Sequence, residues 1–285
     1  MIILEPLGGL ANRMRVIASG IWLKEKLQTE LTVVWNENYE LNCSYNLLFE
    51  DNGAFSILKK ERKYNYIKTS TQTSLTKKIS TYIVNKLIGI DYCIQESDLY
   101  KIVSKDIYEA VKKPKITYIQ TCQEFGDNLF AFQYFTPVLS IIDKIDSVTN
   151  AFTPFTIGIH IRRTDNMNYI KYSPLDLFIN EMKKELGTQK DTTFFLCTDD
   201  QEVEDTIITI FGEKVITYKK KISRQTSRGM QDAVVDLYCL SKTQKILGSY
   251  WSSFAEIASR FNNIELNVLK NLETNDNNAT PLSKI

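Results

Sequence analysis

Histidine is almost missing from this sequence: His160 is the only one in 285 residues. Histidines scattered over the surface are therefore absent, and the one present stands beside Arg162, Arg163 and Asp165. Cysteine is sparse and unpaired in pattern, at 43, 93, 122, 197 and 239, an odd number without a Cys-x-x-Cys pair. Neither a disulfide framework nor a zinc site is indicated, and a reduced setting is expected. Charge of one sign is missing too. With 35 basic and 34 acidic residues the net charge is +1, so no global field recruits nucleic acid or an acidic membrane, and any anion site must be local. No run approaches the roughly 18–20 apolar residues that a membrane span needs. The first residues, Ile2-Ile3-Leu4, read as a strand rather than as the basic and long apolar regions of a signal peptide. The expected location is the cytoplasm, or the inner face of the membrane as a peripheral protein. Two glycosylation sequons, Asn42-Cys43-Ser44 and Asn278-Ala279-Thr280, are read as chance.

What is present is a core-forming chain, 43% hydrophobic, whose length suits two domains of ordinary size. Residues 2–5 read as a strand, Leu7-Gly8-Gly9-Leu10-Ala11-Asn12-Arg13 as a tight turn, 13–27 as a helix and 31–35 as a second strand. The double glycine permits close backbone approach to a ligand at a helix N-terminus. No third glycine follows at dinucleotide-fingerprint spacing, and the loop taken alone reads first as an ordinary tight turn. Periodicity is poor over 36–112, apart from expected helices at 75–87 and 97–111. A strand is expected at 115–122 and a helix at 128–145, broken at Pro137.

From Phe155 onward the pattern becomes regular. Strands at 156–161, 193–198, 214–218 and 245–249 alternate with helices beginning at Ser173-Pro174, Asp200, Arg228 and Ser252. Such repeated units imply a parallel, doubly wound sheet. The expectation is an α/β protein of two Rossmann-like domains facing a cleft, 1–150 and 151–273, with a disordered tail at 274–285.

Chemistry gathers at the expected strand ends, where ligands of parallel sheets bind. His160-Ile161-Arg162-Arg163-Thr164-Asp165 ends the first strand of the second half. Two adjacent guanidiniums, always charged and forked, suit a diphosphate better than a neutral sugar; a solvated Arg-Arg turn with His160 in the core is the plain alternative. Thr198-Asp199-Asp200 ends the next strand, and either carboxylate could equally cap the following helix. Asp232 and Asp236 are four apart and share a helix face, as an acidic surface pair would. Gly248-Ser249-Tyr250-Trp251-Ser252-Ser253 joins a strand to a helix, where Ser252 is either an N-cap or part of a phosphate seat.

Taken in order, His160-Ile161-Arg162-Arg163-Thr164-Asp165, Thr198-Asp199-Asp200, Ser227-Arg228-Gly229 with Asp236-Leu237-Tyr238-Cys239-Leu240-Ser241, and Trp251-Ser252-Ser253 resemble the motifs of the α-1,6-fucosyltransferases, including the rhizobial nodulation enzymes. Gly8-Gly9-Leu10-Ala11-Asn12 is similar to the glycine-Asn loop of the wider fucosyltransferase superfamily. The resemblance covers 156–262 well and the first 20 residues loosely. It implies a GT-B-like, inverting, metal-independent enzyme with no cofactor, using GDP-fucose as co-substrate and a glycan acceptor. It implies donor contacts from Gly9, Asn12, His160, Arg162, Asp199, Asp200, Arg228, Asp236, Ser252 and Ser253, with Asp236 receiving guanine and His160 acting through backbone and packing.

Three departures accompany it. Where the α-1,6 enzymes have a Lys after the motif Asp, this chain has Asn166; residues 166–172 contain no carboxylate to match a family Glu proposed as base; and a family Tyr aligns with Phe178. No aspartate triad or Asp-x-Asp element is evident, so the expected catalytic set is Arg162 and Arg163 at the leaving group and Asp165 as base, with Asp176 and Asp200 behind it. The competing readings are a non-catalytic nucleotide-sugar binder that kept the phosphate clamp, and a transferase that uses another GDP-sugar.

Overall fold

The computed structural model describes residues 1–67, 75–102, 106–163 and 167–271. Thr164, Asp165, Asn166 and the expected tail at 274–285 lie outside them. Contacts divide the chain into two compact units, the first taking Met1–Thr136 and the second beginning at Pro137.

The first unit carries a five-stranded parallel sheet. Its strands are β1 (Ile2–Pro6), β2 (Leu31–Trp35), β3 (Ser56–Lys59), β4 (Tyr92–Gln95) and β5 (Thr117–Thr121), in the order β3-β2-β1-β5-β4. All five positions of β1 are buried, because a central parallel strand is covered on both faces; the charged one, Glu5, is met by Lys60 at 2.7 Å. Helix α1 (Leu10–Leu27) returns the chain to β2, starting three residues earlier than expected, with Gly9 as its N-cap. The helix expected over 97–111 is two, α3 (Glu96–Ile102) and α4 (Ile107–Val111), after α2 (Leu75–Ile88).

The segment expected as one broken helix at 128–145 is a short 3-10 turn, Leu129–Tyr134, then α5 (Leu139–Thr149) beyond Pro137. This helix corrects the domain boundary expected at 150. Ile141 and Ile145 are buried, and Lys144 reaches Asp232 at 3.4 Å while Lys242 reaches Asp146 at 3.2 Å. Helix α5 thus belongs to the second unit, and the boundary falls at Pro137.

The second unit holds β6 (Thr156–Ile161), β7 (Thr193–Thr198), β8 (Val215–Ile216), β9 (Lys245–Ser249) and β10 (Glu265–Leu269), again all parallel, in the order β10-β9-β6-β7-β8. Between them run α6 (Met167–Tyr172), α7 (Leu175–Thr188), α8 (Gln201–Phe211), α9 (Ser227–Ser241) and α10 (Ser253–Phe261). The chain winds outward from β6 through β7 to β8, then crosses back to β9 on the other side. The winding reverses between β6 and β9, and a parallel sheet opens its ligand crevice at that point, beyond the strands' carboxyl ends. Ile157, Ile159 and Ile161 pack with Phe178, Phe194 and Leu196 into one apolar core beneath it; each such buried side chain contributes about 1.5–3 kcal/mol.

One close approach fixes the start of α9. A Cβ on Gly229 would stand 2.1 Å from the Ser223 carbonyl oxygen and 3.0 Å from that of Lys221, so only glycine lets the 219–226 segment lie on the helix. Gly229→Ala is expected to cost about 1–3 kcal/mol through overpacking, read as a lowered urea midpoint. Gly187→Ala, with open space around its Cβ, is the control and is expected to hold or raise that midpoint.

Candidate functional site

The ends of β6, β7 and β9 lie side by side, because Ile161 pairs with Thr198 and His160 with Gly248 in the sheet register. The residues that leave these strands therefore meet. Asp199 accepts the Arg163 backbone N–H at 2.7 Å through one carboxylate oxygen and holds Arg162 Nη1 at 3.1 Å with the other. Ser249 Oγ accepts the Arg162 backbone N–H at 2.9 Å. Arg163 folds back so that its Nη1 donates to the Arg162 carbonyl at 2.9 Å, and its guanidinium lies 6.0 Å over the Phe178 ring. Its Nη2 is buried with no hydrogen-bond partner among the described residues. Burial pulls the Arg163 guanidinium below the ordinary arginine value, against the opposing pull of Asp199 and Asp200. A half-buried cation with an unused donor is a receptor for an anion.

His160 is buried in the floor of this site. Its ring stacks on Phe254, centroids 5.1 Å apart, and Ser252 Oγ lies 3.1 Å from its Nδ1. Burial, then the Arg162 charge, brings the imidazole down to about 3, so it is neutral at ordinary pH and a weak proton acceptor. Ser252 does stand at the N-cap of α10, but its side chain makes no cap hydrogen bond; the hydroxyl is spent on His160. The first-turn N–H groups of α10 consequently receive no hydrogen bond from the Ser252 side chain. Trp251 just before it holds a left-handed φ of 61° and is 41% exposed. A non-glycine residue in that region carries about 1–3 kcal/mol of strain and such residues cluster at ligand sites.

The other expected site residues are placed differently. Asp200 caps α8, its carboxylate accepting the Val203 N–H at 3.1 Å. Arg228 is largely exposed and turns back to Asp232 at 3.3 Å. Ser253 opens α10, next to Ser252. Gly9 and Asn12 belong to the first unit, where the Gly8 N–H donates to Glu40 at 3.0 Å and Gly8 holds a left-handed φ of 83°. Buried Arg13 ties that loop down, donating to the Gly8 carbonyl at 2.8 Å and the Asn36 carbonyl at 2.7 Å. Asn12 Oδ1 is buried without a partner among the described residues. Asp165 lies outside the described residues.

Asp232 and Asp236 are not a surface pair; both are buried. Asp232 receives the Lys221 backbone N–H at 3.1 Å, and Tyr218 Oη donates to its carbonyl at 2.8 Å. Asp236 receives Lys220 Nζ on both oxygens, at 3.2 and 3.0 Å. Burial alone would lower the Lys220 ammonium, but the Asp236 carboxylate more than reverses this and holds it above the ordinary lysine value. Lys220 and Ser249 were both missed by sequence reasoning. Ser249 carried a signal, standing at the end of a strand beside the arginine pair, whereas Lys220 sat in a run of three lysines that looked like solvated loop. Among the described residues no group of three or more His, Cys, Asp or Glu side chains is arranged to hold a metal ion, and no helix is long and apolar enough to cross a membrane.

No protein-family model matches the chain, and no curated protein matches it in sequence. Solved structures do. NodZ, an α-1,6-fucosyltransferase soaked with GDP-fucose, is similar over 91% of this chain and 91% of its own, with a TM-score of 0.66 at 15% identity. A variant of Arabidopsis thaliana FUT1 in complex with GDP is similar over 94% of this chain and 69% of its own, with a TM-score of 0.65 at 13% identity. POFUT1 in complex with GDP is similar over 94% and 97%, with a TM-score of 0.56 at 10% identity. The chain has the α/β fold with two parallel sheets of these GT-B fucosyltransferase structures.

Two measurements test this geometry. His160 is held below its unfolded value of 6.5, so its contribution to stability is complete above pH 6.5 and is lost as the pH falls toward about 3. His160→Asn is expected to flatten the acid limb of a pH–stability profile relative to wild type over that window. Lys220→Met, which strands a buried carboxylate, is expected to cost about 3–5 kcal/mol. The pair Lys220→Met with Asp236→Leu should recover most of the loss in a double-mutant cycle by chemical denaturation.

Proposed function

We propose that the protein is a glycosyltransferase that transfers a sugar, fucose in the first instance, from a GDP-sugar to a glycan acceptor by single displacement with inversion. The observation that carries this reading is the Arg162–Arg163 pair, pinned by Asp199 and Ser249 at the switch point between β6 and β9. The unused Nη2 of Arg163 and the uncapped start of α10 supply further donors there. The similarity to structures whose names record GDP-fucose or GDP supports the choice of nucleotide.

In this reading the diphosphate rests on the two guanidiniums and on the α10 N-terminus. The acceptor hydroxyl oxygen attacks the anomeric carbon as the bond from that carbon to the diphosphate oxygen breaks. GDP leaves with its negative charge stabilised by the arginines, and the hydroxyl proton passes to a carboxylate, for which Asp165 is the choice. Preorganised donors of this kind act on charge as it develops, and losing one costs about 10²–10³ in kcat. Asp199 is a positioning residue: it fixes the backbone of one arginine and the side chain of the other.

The Lys220–Asp236 pair favours a second reading. Guanine recognition by Asp236 requires its N–H donors to share or displace Lys220 Nζ from both carboxylate oxygens. A site in which Lys220 keeps that carboxylate reads the base elsewhere, and belongs to a transferase with another donor or to a non-catalytic nucleotide-sugar binder.

Thermal shift with GDP, UDP and ADP separates these. The expected result is stabilisation by GDP above the other two, abolished in Arg162→Ala and reduced at least tenfold in apparent affinity in Asp199→Ala. A preference for UDP sinks the guanine assignment. Radiolabelled GDP-fucose with water alone is expected to show slow hydrolysis; tight GDP binding with no turnover favours the non-catalytic binder.

A further inference from the structure

Helix α2 of the first unit exposes most of its apolar surface. Ile79, Tyr82, Ile83 and Leu87 are each half exposed or more, Leu87 at 83%. Spacings of three and four residues put them in one row along the helix, and Lys86 stands in the same row. The inward side is the more polar one: Ile88 packs against the core beside buried Thr81 and Asn85, and the Thr81 hydroxyl has no hydrogen-bond partner among the described residues. A helix whose partner is its own core shows the opposite arrangement, as α7 does by burying Phe178 and Met182. Single exposed apolar residues are ordinary on a protein surface; a contiguous row of large ones marks an interaction face.

Charge says what covers the row. Residues 62–90 carry Arg62, Lys63, Lys68, Lys77, Lys78 and Lys86, and no carboxylate. The whole chain is only +1, so this cationic stretch stands against a net acidic remainder. The two carboxylates that bound it, Glu61 and Asp91, meet Lys63 and Lys86. Both lysines are about half exposed, and exposed ion pairs are weak enough to exchange for phosphate oxygens. The turn Arg62–Tyr66 lies against α2, so Lys63 is brought beside the helix. A second copy of the chain is disfavoured as the cover, because a two-fold contact through α2 sets this cationic stretch against itself.

We propose that α2 docks the protein on an anionic lipid surface, lying in the plane of the interface. Ile79, Ile83 and Leu87 enter the boundary with the acyl chains, Tyr82 sits at headgroup level, and the lysines meet lipid phosphates. The Lys86 stem runs along the apolar row while its ammonium stays among the headgroups. At 14 residues the helix is shorter than the roughly 20 that span a bilayer, so it lies on the membrane and does not cross it. The net acidic remainder is repelled by the same surface, which orients α2 toward it. Docking of this kind does not require the protein to be a transferase.

Co-sedimentation of the full chain with vesicles tests it, using phosphatidylcholine alone and an equimolar mixture of phosphatidylcholine and phosphatidylglycerol. The chain is expected to bind the mixture and not phosphatidylcholine alone, with binding falling as salt rises. Ile83→Ser combined with Leu87→Ser changes two exposed side chains; it should keep the wild-type melting temperature and weaken binding about tenfold. Lys63→Gln combined with Lys86→Gln should weaken it as well. Sedimentation with neither vesicle, equal binding to both, or wild-type binding by the serine variant overturns the proposal. Dimerisation of the free protein that the serine variant abolishes, in the absence of vesicle binding, gives the row to a second copy and overturns it too.

Discussion

A carboxylate taken out of water costs several kcal/mol unless cations or N–H donors satisfy it, and the second unit buries two, Asp232 and Asp236, and half-buries a third, Asp199, which differ in how they are satisfied. Asp199 is met by a guanidinium and a backbone amide, Asp232 by an amide and two longer cation contacts, and Asp236 by one ammonium on both oxygens. These pairings decide where the chain goes after each strand. Asp199 turns Arg162 and Arg163 toward the crevice. Asp232 holds down the 219–226 segment, which carries Lys220 to Asp236. The first turn of α10 receives no cap from Ser252, which is engaged by His160 instead of its own helix. The cationic character of the crevice is a by-product of satisfying anions beneath it.

This economy sets what each acidic residue can do for a ligand. Asp199 accepts from the two arginines, one on each oxygen, and so fixes the backbone of one and the side chain of the other. Asp200 spends one on the first turn of α8. Asp236 receives Lys220 on both oxygens, so any further donor must share that carboxylate with Lys220 or displace it. Such an exchange replaces one set of donors by another in a buried place, and its energy depends on the ammonium finding water or phosphate when it leaves.

Much of the fold was legible because central parallel strands are buried at nearly every position and carry apolar runs at their middles. The strands at 31–35, 193–198 and 245–249 were bounded to the residue for that reason. The edges were not. Strand β3, Ser56-Ile57-Leu58-Lys59, is mostly exposed, β10 alternates half-buried positions with a leading Glu265, and β4 is four residues long; none presents an apolar run. The expected strand at 214–218 shrinks to Val215–Ile216 because Tyr218 leaves the sheet to reach Asp232. In the site, the arginine pair and its carboxylate were legible from their places at strand ends. The partner of Asp236 was not, since a contact between residues 16 apart depends on the path of a loop and leaves no periodic mark.

The near-zero net charge conceals the division that matters most. One unit gathers guanidiniums at the end of β6; the other lines a cavity at the ends of β2 and β3 with three carboxylates, Glu37, Glu50 and Asp51. Neither feature registers in a sum over the chain, because each cancels the other's contribution. Local fields in clefts are set by the nearest few charges and by low-dielectric walls, with more distant ones screened beyond about 10 Å at 0.1 M salt. A balanced composition, sorted by fold, thus holds guanidiniums together at one strand end and carboxylates together at another, where a uniformly basic chain would give fields of one sign only.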